Sequence, residues 1–391
     1  MNILFLSKDY PPHLIGGVGV YISEISKLLA RMGHNVYVIT KGEDVSLEYT
    51  DNGVHIYRVK PKRLKIWDNL RTKIGGILER LEYSLAVSEK IAELLKYFSI
   101  DIVETCEARA EGFWYYLFRK SPPLIIKLHT PETVAFKLDH TPQTLDYYLI
   151  KLLEEFWLNK AAQKIGLSEE VVKLTARHFS MKIKNIPLVP NPIDIELFKP
   201  SYVGNDKDEL IILYVGRLEF RKGVHTLIRA FCYVQEQLPE AKLTFIGADC
   251  GMKSYLLNKT CQLEHPENVT FMEHIPRNNL IEYYQKSTIC VVPSIWENYP
   301  YVCLEAMACG KPVIASDIGG LKTIITNRVN GFLVPPGSSK SLSEAIVLLL
   351  EDKRLRQTLG SNARKSIEQN YAPEKIAQKT LNIYQDILKK K

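Results

Sequence analysis

Residues 288–312 have the sequence TICVVPSIWENYPYVCLEAMACGKP, which combines the features of a buried strand, a short loop and a helix. The apolar run that ends at Val292 is typical of a parallel strand covered on both faces, and the proline after it ends the strand. Pro300 suits the first turn of a helix, and Gly310 marks its end. This βα unit predicts an open α/β sheet.

Two glutamates eight positions apart flank the start of that helix. Glu297 falls in the loop at the carboxyl end of the strand, where ligands of open α/β sheets collect, and Glu305 falls inside the helix. The first helical amides, near Tyr301 and Val302, would point at an anion placed there. Glu305 could accept hydrogen bonds from the vicinal hydroxyls of a ribose, and Glu297 could reach a second polyol. The pair predicts a ligand made of sugar and nucleotide, unless both are solvated surface glutamates.

A second strand and helix start carries two cations. Residues 210–215 are predicted as a strand, and GRLEFRKG at 216–223 opens a helix. Arg217 and Lys222 flank this turn and could meet a diphosphate together, each charge-assisted bond contributing about 1.5–3 kcal/mol when sheltered from water. The alternative is two exposed, solvated cations, although the helix macrodipole disfavours positive charge at a helix start.

The N-terminal region shows a glycine-rich helix start. Residues 2–7 are predicted as a strand, and Gly16 and Gly17 precede an amphipathic helix that extends to about Met32. A dinucleotide fingerprint is rejected, because it requires glycines directly after the strand and an acidic residue about 20 positions further on. The glycines would instead let bare backbone approach a phosphate or a sugar closely.

Taken together, the three motifs resemble the retaining glycosyltransferases of family 4. The E-x7-E element of that family matches Glu297 and Glu305, G-R-x4-K-G matches residues 216–223, and the glycine-rich first loop matches Gly16 and Gly17. The resemblance covers nearly the whole chain. It implies an α/β fold of the GT-B type, with two Rossmann-like, doubly wound domains facing a cleft and a C-terminal helix crossing back to the first domain.

The resemblance also implies roles for individual residues. Glu305 would bind the ribose, Arg217 and Lys222 the diphosphate, and Glu297 the donor sugar. His129, which follows a predicted strand at 124–128, would face the anomeric carbon with its carbonyl and the sugar with its ring, unless it is an ordinary structural histidine. The predicted catalytic residues are Glu297, His129, Arg217 and Lys222. The predicted donor-binding residues are Gly16, Gly17, Arg217, Lys222, Ile275, Glu297, Asn298, Tyr299, Pro300, Tyr301, Val302 and Glu305, with Ile275 beside the base.

Some positions depart from the family pattern. Asn298 follows the first glutamate where the family often has glycine, and Thr130 follows His129 where many members have aspartate. The linker has the sequence NPID at 191–194 in place of NGVD. These departures leave the sugar and the acceptor undetermined, and they do not touch the diphosphate site.

Length and composition agree with two domains. The chain has 391 residues, of which 46% are hydrophobic, enough to bury two cores. The polar, proline-marked stretch at 190–208 is the predicted linker. The first domain is expected at 1–190 with the returning helix 372–391, and the second at 191–371.

Cysteine usage predicts a reduced, cytoplasmic protein without a metal centre. The seven cysteines form no C-x-x-C pair, which argues against a disulfide framework or a metal cluster. A D-x-D sequence at 206–208 lies in the polar linker and is not expected to bind metal. The apolar start of the chain is too short for a signal sequence, and no run is long enough to span a membrane. No cofactor is expected.

The net charge of +7 is concentrated in one segment. Residues 58–80 carry eight cations and two carboxylates, and Trp67, Leu70, Ile74 and Ile77 follow helical spacing through the same stretch. Such a basic amphipathic helix could rest on the inner face of a membrane, or simply pack its apolar side on the first domain. Nucleic acid is not an expected partner, because the stretch has a single tryptophan as its aromatic residue and no known recognition motif.

The sequence therefore predicts an enzyme that transfers a hexosyl group from a nucleoside diphosphate sugar, most simply a UDP-sugar, to a saccharide or glycolipid acceptor. The resemblance implies retention of configuration without a metal. Two alternatives remain at this point. A nucleotide-sugar epimerase can share the architecture, and a non-catalytic binding protein would hold the donor without transferring it.

Overall fold

The chain folds into two compact units. It passes from the first unit to the second between Pro192 and Ile193, and it returns to the first between Ala372 and Pro373. The first unit comprises Met1–Pro192 and Pro373–Lys391, and the second comprises Ile193–Ala372. The boundaries predicted after residues 190 and 371 differ from these observed boundaries by two residues and one residue. The computed structural model describes residues 1–12, 16–43, 46–139, 141–182, 185–201 and 209–390.

The first unit is built on a sheet whose central strands are mostly apolar, because helices cover both faces. Ile3, Leu4, Phe5 and Leu6 are fully buried in its first strand. Within the described ranges the strands are β1 Asn2–Leu6, β2 Asn35–Lys41, β3 Leu47–Asp51, β4 Val54–Val59, β5 Ile102–Cys106, β6 Leu124–Leu128 and β7 Gln163–Gly166. Their order is β3-β4-β2-β1-β5-β6-β7, and all neighbours are parallel except β3 and β4.

The helices of the first unit include the last helix of the chain. They are α1 Gly17–Arg31, α2 Arg71–Tyr97, α3 Phe113–Phe118, α4 Glu132–Leu138, α5 Leu145–Lys160, α6 Glu169–His178 and α14 Pro373–Lys389. The last of these packs against α1. The Tyr384 hydroxyl of α14 donates a hydrogen bond of 2.6 Å to Oε2 of the buried Glu104 in β5. The predicted return of the C-terminal helix to the first domain is confirmed.

The second unit has an entirely parallel sheet in its described part. Its strands are β8 Ile211–Val215, β9 Lys242–Ile246, β10 Val269–Met272, β11 Ile289–Val292, β12 Val313–Ser316 and β13 Phe332–Val334, in the order β10-β9-β8-β11-β12-β13. Its helices are α7 Val224–Gln235, α8 Lys253–Thr260, α9 Leu280–Lys286, α10 Tyr301–Ala308, α11 Leu321–Ile324, α12 Ser339–Glu351 and α13 Lys353–Asn370. The predicted strand, loop and helix at 288–310 are thus confirmed as β11, a loop and α10.

Each sheet reverses its strand order at one place. In the second unit β8 pairs with β11. Strands β9 and β10 follow on the far side of β8, and strands β12 and β13 follow on the far side of β11. In the first unit the reversal lies between β1 and β5. Ligands of doubly wound sheets bind outside the carboxyl ends of the strands at such a switch point. The loops after β8 and β11, which carry the predicted site residues, therefore lie side by side.

The basic segment 58–80 is helical from Lys65 onward, as the spacing predicts, but its start belongs to a strand. Arg58 belongs to β4, and its buried guanidinium donates to the backbone oxygens of Tyr10 at 3.2 Å and Pro11 at 2.6 Å. A 3-10 helix at Lys65–Leu70 precedes α2, which is kinked at Ile74. Arg58 lies in a strand because β4 pairs with β2, so the helical part does not reach the start of the segment.

None of the helices in the described ranges combines the length and the apolar character that a membrane span requires.

Candidate active site

Both predicted glutamates of the second unit are buried. Glu297 is 8% exposed and Glu305 is 2% exposed, so the interpretation as solvated surface glutamates is wrong. Glu297 lies in the loop between β11 and α10, and Glu305 lies on the first turns of α10. Buried carboxylates need partners, because transfer of an unpaired charge out of water costs several kcal/mol.

Lys222 is the partner of Glu297. Its ammonium forms an ion pair with Oε2 of Glu297, and the Ser294 hydroxyl lies 3.4 Å from the same oxygen. Burial would raise the pKa of Glu297, but the charge and hydrogen bond of Lys222, with help from Arg221, hold that pKa below its usual value. The structure therefore brings together two residues from motifs 75 positions apart, and it keeps the carboxylate charged.

Close backbone packing explains why the G-R-x4-K-G element ends in glycine. Gly223 has φ +70°, and a Cβ there would lie 1.9 Å from the backbone oxygen of Pro293. The N–H of Ile295 also donates to the backbone oxygen of Arg221 at 2.8 Å. The loop after β8 is thus held directly against the loop after β11, which fixes Lys222 beside Glu297.

Arg217 is the exposed cation of the site. Its side chain is 55% exposed and lies 3.1 Å from Oε1 of Glu219, an oxygen that Arg221 also contacts at 2.8 Å. The Tyr214 hydroxyl donates to the backbone oxygen of Arg217 at 2.8 Å and holds its main chain in place. The two predicted cations therefore differ: Arg217 is exposed and lies beside Glu219, whereas Lys222 is largely buried and pairs with Glu297.

Glu305 is engaged by two residues that the sequence analysis did not identify. Its Oε1 accepts from Nε of Arg277 at 2.5 Å, and its Oε2 accepts from the Tyr284 hydroxyl at 2.9 Å. Burial, followed by the charge of Glu305, raises the pKa of Tyr284 well above its usual value, so this hydroxyl remains a donor. Arg277 also lies over the rings of Phe198 and Tyr301, at 4.8 and 5.2 Å. No local pattern distinguishes Arg277 in the sequence.

The loop that carries Glu297 rests on two glycines that were also missed. A Cβ at Gly320 would lie 1.2 Å from the backbone oxygen of Asn298, and one at Gly319 would lie 2.7 Å from that of Glu297. A glycine pair directly after β12 is the signal that could have identified them. Their bare backbone fixes the main chain of the predicted sugar-binding loop.

The remaining donor-binding predictions in this unit surround the start of α10. Tyr299 and Pro300 are buried, and Pro300 is the residue that precedes the helix. No side chain caps the helix within the described residues, and no acidic residue occupies its first turn, which includes Tyr301 and Val302. The positive end of the helix dipole is therefore not neutralised by the chain itself, as an anion site requires.

Ile275 lies in the loop after β10. An open depression of about 630 Å³ is lined there by Ile275, His274, Pro276 and residues of α9. Contact of Ile275 with the nucleotide base stays a prediction.

In the first unit, His129 follows β6 and is almost fully buried. The backbone N–H of His129 donates to Oε2 of Glu107 at 2.9 Å. The Thr130 hydroxyl donates to the backbone carbonyl oxygen of His129 at 2.5 Å. The ring lies 5.4 Å from that of Tyr21. Burial and the charge of Lys127 lower the pKa of His129 well below its usual value, so the ring is neutral at pH 7.

Two buried glutamates that the sequence analysis overlooked hold the strand ends around His129. Glu107 follows β5 and binds the chain after β6, as described above. Glu111 accepts from the N–H of Lys8, after β1, at 2.5 Å, and from the Thr105 hydroxyl at 3.1 Å. The loop between them contains Arg109 and Ala110 with φ of +71° and +47°. This loop therefore ties β5 to both neighbouring strand ends at the switch point of the sheet.

Gly16 and Gly17 occupy the start of α1. Gly16 precedes the helix with no side-chain cap, and no atom lies within 4 Å of a Cβ built on Gly17. The glycine that packing demands is Gly19, where a Cβ would lie 2.9 Å from the Cβ of Asp9. Residues 13–15 lie outside the described part of the chain, as does the D-x-D sequence at 206–208. Elsewhere in the described chain no cluster of three His, Cys, Asp or Glu side chains could hold a metal ion.

Comparison with known proteins finds relatives over nearly the whole chain. Residues 15–197 match the family model of glycosyltransferase family 4, and residues 198–366 match that of glycosyl transferases group 1. An uncharacterized glycosyltransferase of Methanocaldococcus jannaschii is 28% identical, over 98% of each chain.

Solved structures show the same fold. Sucrose-phosphate synthase of Thermosynechococcus elongatus superposes with a TM-score of 0.80 at 23% identity, over the full length of both chains. HepE of Anabaena, solved in complex with UDP-glucose, superposes with a TM-score of 0.74 at 20% identity, over 99% of this chain and 100% of that one. The protein therefore belongs to the family 4, group 1 glycosyltransferases and has the two Rossmann-like domains of the GT-B fold.

Proposed function

We propose that this glycosyltransferase moves a hexosyl group from a nucleoside diphosphate sugar to a hydroxyl of a saccharide or glycolipid acceptor, with retention of configuration and without a metal. UDP-glucose is the first donor to test, since HepE, which shares the fold, was solved with that molecule. The proposed setting is polysaccharide or glycolipid assembly on the cytoplasmic side of the cell.

The observation that carries the proposal is the charge arrangement at the β8–β11 switch point. Lys222 is fixed beside the buried Glu297, while the exposed Arg217 stands on the same loop. Arg217, Arg221 and Lys222 outnumber Glu219 and Glu297 by one charge, and the uncapped start of α10 adds positive potential. A diphosphate that enters here would meet positive charge that the chain does not neutralise itself.

Glu305 would bind the ribose. Its two oxygens already accept from Arg277 and Tyr284, and each carboxylate oxygen retains a further lone pair for a ribose hydroxyl. Arg277 and Tyr284 would hold the carboxylate in one orientation before the nucleotide arrives, which lowers the entropic cost of binding. Ile275, in the loop beside Arg277, would contact the base.

Transfer would break the bond between the anomeric carbon and the β-phosphate oxygen and form a bond from that carbon to the acceptor oxygen. Arg217, Lys222 and the α10 amides would stabilise the charge that grows on the leaving phosphate. This electrostatic stabilisation would lower the activation barrier by several kcal/mol. The departing phosphate would take the acceptor proton on the same face, so the configuration is retained. Glu297 and its loop would hold the sugar, and the carbonyl and neutral ring of His129 would face it. Gly16 and Gly17, at the start of α1, would let the backbone approach the donor.

The test has two stages. A thermal-shift screen with UDP-, GDP- and ADP-glucose identifies the base, and the best donor is then incubated with saccharide and lipid-linked acceptors in the presence of EDTA. We expect a UDP-sugar to stabilise the protein and an α-linked product to form from an α-linked donor, as read by NMR of the anomeric proton. Donor binding by Arg217→Ala should weaken about 10- to 100-fold. Lack of stabilisation by any nucleotide sugar would refute the proposal, and an inverted product would refute retention.

A further inference from the structure

A group of apolar side chains is exposed on the first unit directly before α2. Ile66, Trp67 and Leu70 lie in the 3-10 helix Lys65–Leu70 and are 87%, 43% and 44% exposed. Single exposed apolar residues are common on protein surfaces, whereas three within five positions form a patch. A tryptophan at the edge of such a patch is well suited to the boundary between water and lipid.

A second apolar stripe lies on α5. Leu145, Tyr148 and Leu152 are 61%, 53% and 62% exposed and are spaced as neighbours on one helix face. The opposite face of α5 is buried, with Ile150 and Trp157 in the core. The stripe therefore contributes nothing to the packing of the helix on the first unit, so the fold alone does not explain it.

Asp146 holds α5 against α2, the helix that directly follows the 3-10 helix. Its Oδ2 accepts from the N–H of Gly76 at 2.9 Å and its Oδ1 from that of Ile77 at 2.8 Å. Because α2 is kinked at Ile74, this carboxylate caps the straight part of the helix that follows the kink. A Cβ at Gly76 would lie 2.4 Å from Oδ2 of Asp146, so glycine is needed for this approach. The first turn of α5 is thus fixed against the start of α2.

Lysines without a described carboxylate partner surround the same segments. Lys60, Lys65 and Lys73 are exposed, and the structure pairs none of them with a carboxylate in the described ranges. By contrast, Arg63 and Arg71 form ion pairs with Asp68, and Arg71 also pairs with Glu82, so two carboxylates balance these two cations. The surplus positive charge of the segment therefore resides on lysines next to exposed apolar side chains.

We propose that these residues form one surface that docks on an anionic lipid bilayer. The docking surface consists of Lys65, Ile66, Trp67, Leu70, Lys73, Leu145, Tyr148 and Leu152. Apolar side chains would enter the headgroup region while the lysines meet lipid phosphates, the combination that holds peripheral proteins on membranes. A second copy of the chain is disfavoured as the occupant, because an isologous contact would gather Lys65 and Lys73 of both copies in one interface without carboxylates to balance them.

The experiment measures binding of the full-length chain to phosphatidylglycerol and phosphatidylcholine vesicles by co-sedimentation, at low and high salt. We expect binding to the anionic vesicles only, weakened by salt because the charges are exposed. The double variant Lys65→Ser/Lys73→Ser should bind about 25-fold more weakly, since each lysine near an anionic surface contributes about fivefold. Ile66→Ser/Leu70→Ser and Leu145→Ser/Leu152→Ser should each weaken binding at least about tenfold.

Matched controls come from the same unit. Lys96→Ser/Lys120→Ser removes the same charge, and Phe118→Ser removes an exposed aromatic that is 82% exposed. Lys96 lies near the C-terminal end of α2, about 30 Å of helix away from Gly76. Both controls should bind vesicles as the unchanged protein does, and all variants should keep their affinity for the nucleotide, which separates this proposal from the proposed function.

Three outcomes would overturn the proposal. The first is absence of binding to anionic vesicles at low salt, and the second is equal loss in the control variants. The third is a loss confined to one of the two apolar segments, which would contradict a single composite surface. Self-association that disappears in the Leu145→Ser/Leu152→Ser variant, without vesicle binding by the unchanged protein, would assign the stripe to a second copy instead.

Discussion

Replacement of Lys222 by alanine should destabilise the second unit and weaken nucleotide binding at the same time. The change leaves Glu297, whose side chain is 10% exposed, without the cation that compensates its burial. Loss of one partner of a buried pair costs about 3–5 kcal/mol, and the 19% exposure of Lys222 places the expected value near the lower limit. We therefore expect the free energy of unfolding to fall by about 3 kcal/mol at pH 7.

The pH dependence of this loss identifies its cause. In the unchanged protein the pKa of Glu297 is held below its usual value of 4.5, so the pair contributes stability above that pH and loses it as the pH falls through the folded-state pKa. Without Lys222, burial is opposed only by Arg221 and the backbone N–H of Asn298, so we expect the pKa of Glu297 to rise and the carboxyl to take up a proton in the folded protein as the pH falls. The deficit of the variant should therefore shrink as the pH is lowered from 7 through 4.5.

Urea denaturation followed by circular dichroism at several pH values measures the effect, and titration calorimetry measures UDP binding. Lys322→Ala is the matched control, because Lys322 pairs with Asp317 at 3.2 Å with both side chains about half exposed, and its loss should cost less than about 1 kcal/mol. UDP should bind Lys222→Ala about 10- to 150-fold more weakly. A deficit that equals that of the control, or that stays constant with pH, would refute the reasoning about the buried pair, and unchanged UDP affinity would remove Lys222 from the site.

Three further substitutions test other parts of the two units. Gly320→Ala would place a Cβ 1.2 Å from a backbone oxygen and should lower the free energy of unfolding by about 3 kcal/mol, whereas Gly75→Ala, with no atom within 4 Å, should have almost no effect in the same denaturation assay. Glu305→Gln should reduce UDP affinity in calorimetry more than it reduces turnover at saturating donor, and wild-type affinity would contradict the ribose role. Burial raises the pKa of Glu107 to about 8, so the unchanged protein should lose stability as the pH rises from 4.5 to 8. Glu107→Gln keeps an acceptor for the N–H of His129 and should remove this contribution, which melting temperatures at pH 5 and pH 8.5 would show as a relative gain for the variant at the higher pH.

Much of the fold could be predicted from local pattern. Three elements form where the sequence predicts them: the strand that ends at Val292, the helix that begins after Pro300 and the strand before Arg217. Most of their ends lie within one residue of the predicted position. These signals survive folding because a buried parallel strand and a helix start are defined by a few adjacent residues. The start of the segment 58–80 was not predictable in this way, because the pairing of Arg58 in β4 depends on a strand that ends 17 positions earlier, at Lys41.

The candidate site was predictable only where its residues lie within short motifs. Glu297, Glu305 and Lys222 belong to such motifs, and the sequence alone established them as candidates together with the two-domain α/β fold. Only the tertiary structure decided that Lys222 pairs with Glu297, that Arg277 and Tyr284 hold Glu305, and that both glutamates are buried. The physical reason is the parallel sheet: it places the carboxyl ends of β8 and β11 side by side although 73 positions separate the two strands, and no local pattern encodes which side chains then come within hydrogen-bonding distance.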